Sequence, residues 1–264
     1  MTATTTATVI LDSQAPDGTR LTTMEWVFPR FILAEVNTHR RFSRNSASSR
    51  ALPLQAQIRR VWDDPFVPAR FTSAQKGMQG GDALSTEDQR DAAHQWRVGA
   101  YHAAATAERL LSLGVHQQHA ARILEPYLWH TALVSSTEWE NFLSQRDSDD
   151  AQPEMQTLAQ AVRAALAASE PRAVEWGGWH LPYVPDGCDD PMVSAGRCAR
   201  VSYLQHDGSR DPARDRALAE RLVRDGHWSP FEHVAQAVCR ARWGTRNYGR
   251  SWRQYRAVVE VARG

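Results

Sequence analysis

The sequence predicts an α+β fold, on two observations. Residues 7–11 and 20–28 read as strands with the turn signal Asp17-Gly18 between them, the pattern of a hairpin. Several later segments carry helical apolar spacing with start and stop residues at their ends.

In chain order, Pro29 punctuates the second strand, and Phe31, Ile32, Leu33, Val36 and His39 predict a helix starting near Pro29. Residues 43–53 are polar and read as a loop, and 63–84, with Pro65, Pro68 and the Gly77–Gly81 run, as a long connection. The clearest helix covers about 86–112: Ser85 and Asp88 have capping-box spacing, Gly114 stops it, and Trp96, Ala100, Ala103, Ala107 and Leu110 share a face. Helices are also expected over 117–123, 136–145 and 153–168, the last with Pro153 at its first position and Met155, Leu158, Val162 and Leu166 inward. Residues 170–192 are proline-rich and read as irregular. Asp211-Pro212 opens a helix stopped by Gly226, and Val234–Trp243 reads as a strand.

With 264 residues, 42% of them hydrophobic, the chain can bury one large core or two small ones. A net charge of +1 advertises neither nucleic acid nor membrane. Lys76 is the only lysine, a bias that genome composition explains in general but that does not explain where the arginines cluster. Cys188, Cys198 and Cys239 are too few for a disulfide framework, and with His180, His206 or His227 they fit no zinc-ligand spacing, so no metal is expected. No signal peptide and no membrane span is read, which predicts a soluble, cytoplasmic protein.

The segment Thr38–Arg50 places four arginines, four serines, a histidine and an asparagine in thirteen residues. Forked guanidinium donors match phosphate oxygens, and small hydroxyl residues let backbone N–H groups reach the same anion. A nucleotide phosphate site, a solvated basic loop and a nucleic-acid patch all remain open from composition alone. Few aromatics interleave, which argues against a stacking platform for single strands.

This segment resembles the signature of the flavin-dependent thymidylate synthases (ThyX): His39-Arg40, seven residues, Ser48, then Arg50, with Thr38 where the family has a first arginine. Asn141-Phe142-Leu143, Arg146 and Ala151-Gln152 with Glu154 resemble a second family block, and Arg122 its nucleotide-binding arginine. Ala199–Tyr203 followed by His227–His233 resembles a third, which in the family comes first in the chain. Here it comes last, within residues 193–264. Ser229–Glu232 also reads as an ordinary helix start.

The resemblance implies a single ThyX-like domain over 1–264 in permuted order, with an N-terminal hairpin at 1–30. It implies helices on a mostly antiparallel sheet, and a homotetramer with sites shared between subunits. It implies FAD-dependent C5 methylation of a uridine monophosphate, UMP or dUMP, with methylenetetrahydrofolate as carbon donor and NADPH as reductant of the flavin. Arg146 is the implied catalytic residue. Substrate contacts fall on Glu35, Thr38, Ser46, Ala47, Ser48, Ser49, Arg50, Arg122 and Arg146. Flavin contacts fall on Thr38, His39, Arg40, Ser46, Ser135, Thr137, Asn141, Ser202, Ser229 and Glu232. Several flavin positions depart from the family pattern, as in a branch found in phages and nucleoside-antibiotic pathways. Hydroxymethylation, or nucleotide binding without catalysis, is the alternative function.

Overall fold

A computed structural model describes residues 3–185, 187–203, 211–239, 247–249 and 251–263, and the backbone alone for Ser202, Tyr203 and Arg263. The expected hairpin forms the centre of a five-stranded sheet. Strand β1 (Thr6–Gln14) and β2 (Arg20–Pro29) turn at Gly18, whose φ of 85° is open to glycine. Beside β2 runs β4 (Trp129–Ser136), and at the far edge β3 (Ser43–Ser46). The order is β3-β4-β2-β1-β5, antiparallel except where the two-residue β5 (Arg172–Ala173) joins β1 in parallel.

Three expectations are corrected here. Residues 43–46 form a strand, because Ser43 and Asn45 turn inward and find hydrogen-bond partners 211 and 153 residues away. The helix expected over 136–145 starts at Glu140, because Ser136 completes β4 and residues 137–139 connect the two. The helix expected from Pro29 is shorter than its apolar stripe. A 3-10 turn (Arg30–Ile32) leads into α1 (Leu33–Val36), and Pro29 itself ends β2.

One face of the sheet carries Met24, Trp26 and Phe28 against Met155, Leu158 and Val162 of α6 (Pro153–Ala168) and Phe142 of α5 (Glu140–Arg146). Trp26 stacks on Phe142 at 5.5 Å. Each fully buried side chain of Phe size contributes about 2 kcal/mol by leaving water. A second cluster forms between α2 (Leu54–Asp63), α3 (Thr86–Ser112) and the 3-10 segment Ala121–Tyr127, which follows α4 (Gln117–Ala120). The sequence reading assigned no element to α2. Helix α3 starts as expected: Asp88 N–H donates to Ser85 Oγ at 3.1 Å, and the hydroxyl donates back to the Asp88 carboxylate at 2.7 Å.

The C-terminal part forms its own layer. Helix α7 (Pro191–Tyr203) packs on α8 (Pro212–Asp225) so closely that a Cβ on Gly196 would lie 2.1 Å from the Asp215 carbonyl oxygen. Asp215, fully buried, accepts from Arg197 at 2.8 Å and Arg200 at 2.6 Å. As expected, Asp211 caps α8 and Gly226, with φ 75°, ends it. A small sheet β6-β7-β8 (Trp179–His180, Ala235–Ala237, Trp252–Gln254) and α9 (Tyr255–Arg263) complete the layer. The strand expected over Val234–Trp243 is only three residues long in β7, and its residues 240–243 lie outside the described residues.

A buried chain of side chains joins the two layers. His180 contacts Ser13 Oγ through Nδ1 and Thr23 Oγ1 through Nε2, both at 2.8 Å. Thr23 meets Ser135 at 2.6 Å, and Ser135 meets His233 Nδ1 at 2.8 Å. Burial holds His180 and His233 neutral, each down to about 3, and does the same to His130 with Arg30 adding repulsion. For all three the folded-state pKa lies below the unfolded value. Their contribution is therefore complete above about pH 6.5 and is lost as pH falls from there towards 3. At pH 5.5 each forfeits roughly 1.4 kcal/mol, so the urea midpoint should drop sharply between pH 7.5 and pH 5.5. An unchanged midpoint would show that these histidines take up protons in the folded protein.

Candidate active site

The residues singled out by the sequence fall into three groups. The first surrounds the end of α5. Arg146 Nε donates to His39 Nε2 at 3.0 Å, and a terminal nitrogen reaches Thr38 Oγ1 at 3.4 Å. Accepting that bond requires a neutral imidazole, and burial with the Arg146 and Arg44 charges lowers the His39 pKa to about 4. His39 packs edge-on to Phe142 at 5.0 Å, so α5 fixes both partners. Thr38 and Arg40 are exposed beside it. Asn141, about a turn and a half before Arg146, is exposed and accepts from Gln145 at 3.2 Å. Glu35 stands nearby on α1 with one buried carboxylate oxygen that accepts no hydrogen bond among the described residues.

The second group follows β3. Ser48 and Arg50 are exposed, while Ala47 and Ser49 are buried. Ser49 Oγ donates to Glu125 Oε1 at 2.6 Å, and the same oxygen accepts from Arg122 at 2.9 Å and Arg30 at 3.1 Å. Arg30 also contacts His130 Nδ1 at 2.8 Å and donates to the Ala47 carbonyl at 3.3 Å. Gln57 and Gln117 donate to the Ser49 and Arg50 carbonyls at 2.9 and 2.7 Å and so set the loop's shape. Two guanidiniums share one carboxylate oxygen here, leaving positive charge for an anion. The sequence reading missed Arg30, His130 and Glu125; only the three-residue spacing of Arg122 and Glu125 was there to find.

The third group is the C-terminal block, docked on β3. Asn45 Nδ2 donates to the Cys198 carbonyl at 2.9 Å, and Ser229 Oγ donates to Asn45 Oδ1 at 3.3 Å. Glu232 pairs with Arg256, and its carbonyl accepts from Tyr248 at 2.6 Å and Gln254 at 3.1 Å. Ser202 has its side chain outside the described residues.

The structure thus brings Thr38, His39, Arg40, Asn141 and Arg146 together, and separately Ser48, Arg50 and Arg122. The strand β3 lies between them, with Ser46 half-buried at its end, and its four residues span about 10 Å. No hydrogen bond or ion pair links the two groups among the described residues. Ser135 is engaged in the buried chain under the sheet and is not on this surface. Thr137 is half-buried just past β4.

The solved structures of the UMP/dUMP methylase PolB from Streptomyces cacaoi share the fold. The form bound with 5-Br UMP aligns with a TM-score of 0.53 at 14% identity, over 62% of this chain and 89% of that one. The form bound with 5-Br dUMP gives 0.51 at 16%, over 63% and 91%. No curated protein matches the chain by sequence. Residues 21–172 match the family described as thymidylate synthase complementing protein, a span that holds both arginine groups and more than half of the chain. The chain belongs to that family, the ThyX-like flavin-dependent proteins.

Proposed function

We propose that this protein methylates C5 of a uridine monophosphate, taking the carbon from methylenetetrahydrofolate. The observation that carries the reading is Arg146: a guanidinium oriented by a neutral histidine, on a surface with further outward donors. The fold shared with a UMP/dUMP methylase and the family membership support the substrate class.

The residues fit an anionic dinucleotide cofactor such as FAD. Arg40 and Asn141 are exposed beside Arg146 and would hold it, while the Thr38 hydroxyl donates to the Glu35 carbonyl at 2.6 Å. Ser135 does not fit that role, being spent in the core. When bound, the flavin would supply a hydride for the methylation, with NADPH as its reductant. This chain's own residues do the rest. Ser48, Arg50 and Arg122 take the nucleotide phosphate. Arg146 stabilises negative charge that develops on the uracil ring, so that C5 can attack without a thiol adding at C6. That route suits the cysteines. Cys198 is fully buried, which pushes its thiol well above the usual range, and Cys188 and Cys239 belong to neither arginine group.

Two groups set apart in one chain fit a site completed by a second subunit, as in a homotetramer. Purified protein is expected to take up FAD and to show a flavin absorbance that NADPH bleaches. Supplied with the folate donor, it should then convert UMP or dUMP to the 5-methyl product, with mass spectrometry separating methyl from hydroxymethyl. A chain that stays colourless at saturating FAD removes the centre of this reading.

A further inference from the structure

A small cavity of about 20 Å³ lies against the loop that carries Ser48 and Arg50. Arg30, Gln57 of α2 and His130 of β4 line it, with Ala47 and Leu52 from the loop itself. Gln57 and His130 are 2% and 3% exposed, and the Arg30 side chain 10%. Each of the three holds a buried polar atom that meets no hydrogen-bond partner among the described residues: Arg30 Nε, Gln57 Oε1 and His130 Nε2. A fourth such atom, Trp129 Nε1, belongs to the next residue of β4, whose side chain points to the opposite face of the strand and meets Phe66 edge-on. A buried polar group without a partner is costly, so three of them around one space point to an occupant that satisfies all three.

Their donor and acceptor roles are fixed by their other contacts. Gln57 Nε2 donates to the Ser49 and Leu52 carbonyls at 2.9 and 3.0 Å, which leaves Oε1 as an acceptor. His130 Nδ1 lies 2.8 Å from an Arg30 nitrogen that can only donate, so Nε2 carries the ring proton. The occupant must therefore accept from two N–H groups and donate to one oxygen. A buried water does this, needs a space of at least roughly 10–15 Å³, and takes two to four polar partners. Arg60 also lines the cavity, which makes an anion the competing occupant, but an anion would stand against the Gln57 oxygen without a proton to give it. The surrounding contacts run straight to the arginine group after β3. Arg30 holds the Ala47 carbonyl and Glu125, and Glu125 holds Ser49 and Arg122. We propose that the cavity binds one structural water, and that Gln57 and His130, joined to Arg30 through it, are positioning residues for the nucleotide phosphate. This rests on the reading that Ser48, Arg50 and Arg122 take the phosphate, and adds what holds them in place.

The test has two arms. A high-resolution crystal structure of the full chain, grown with bromide, should show one peak within hydrogen-bond reach of Arg30 Nε, Gln57 Oε1 and His130 Nε2, without anomalous signal. An anomalous bromide peak there, or no peak, overturns the water site. The second arm compares FAD-loaded variants. His130→Phe keeps a ring beside Phe28 and removes both nitrogens, and Gln57→Met keeps the chain length and removes the amide. Each should raise the KM for UMP about 10-fold while kcat stays within about twofold of native. Inhibition by uridine, which lacks the phosphate, should stay native in both. His130→Gln, whose amide can stand in for both ring nitrogens, should bring the KM back towards native. A native KM in His130→Phe and Gln57→Met overturns the positioning role, and so does an equal loss for UMP and uridine. A native chain that binds no UMP removes the phosphate reading itself, and the crystal structure still decides the water site.

Discussion

Replacing Arg146 with alanine is expected to lower turnover about 100-fold or more, the range seen when one preorganised electrostatic donor is removed from a reacting centre. The geometry explains why the effect should fall on kcat. Arg146 is anchored through Nε to His39, whose ring stays neutral because burial and two guanidiniums hold its pKa to about 4. The anchor fixes the guanidinium plane, so its remaining donors need no reorganisation as charge builds on the uracil. Flavin loading should survive, because Arg40 and Asn141 are untouched. Lysine at this position restores the charge but neither the planar fork nor the Nε bond to His39, so Arg146→Lys should recover little of the loss. Stopped-flow reduction and steady-state methylation, measured on equal flavin content, separate the two effects. Near-native turnover in Arg146→Ala would assign the ring's charge to another residue.

How much of this was legible in the sequence depended on how local the determining interaction was. Helices α3, α6 and α8 could be bounded because Ser85, Pro153, Asp211 and Gly226 act within a few residues of themselves. Strand β3 could not. Ser-Arg-Asn-Ser is a loop composition, and it becomes a strand because Gln254 and the Cys198 carbonyl satisfy Ser43 and Asn45 from the far end of the chain. Strand β4 hid for a related reason. Its Ser135 and Ser136 look like solvent-facing residues, yet both are fully buried, and Ser135 joins a hydrogen-bonded chain with Thr23 and His233. Within the candidate site, charged residues showed in the sequence but their pairing did not. Glu125 sets the electrostatics of Arg30 and Arg122 through a contact 95 residues apart with one and three apart with the other.

Mixing two inactive variants should restore activity. Arg50→Ala spoils the group after β3, and Arg146→Ala spoils the group at the end of α5. These groups sit at opposite ends of β3, with no hydrogen bond between them among the described residues, and in the shared-site proposal a nucleotide draws one group from each of two subunits. Each variant alone then carries a defect in every site. In a randomly mixed oligomer the two halves of a site come from different chains. About a quarter of the sites combine an intact Arg50 from one with an intact Arg146 from the other, because a closed symmetric assembly repeats the same interface around its axes. Specific activity of the mixture should rise to about a quarter of native, against a few per cent at most for either parent. Subunit exchange is verified first, by native mass spectrometry of differently tagged variants. If both groups serve one site within a single chain, every site keeps a defect and verified mixing recovers nothing. That outcome would remove the shared site and leave the flavin assignment intact.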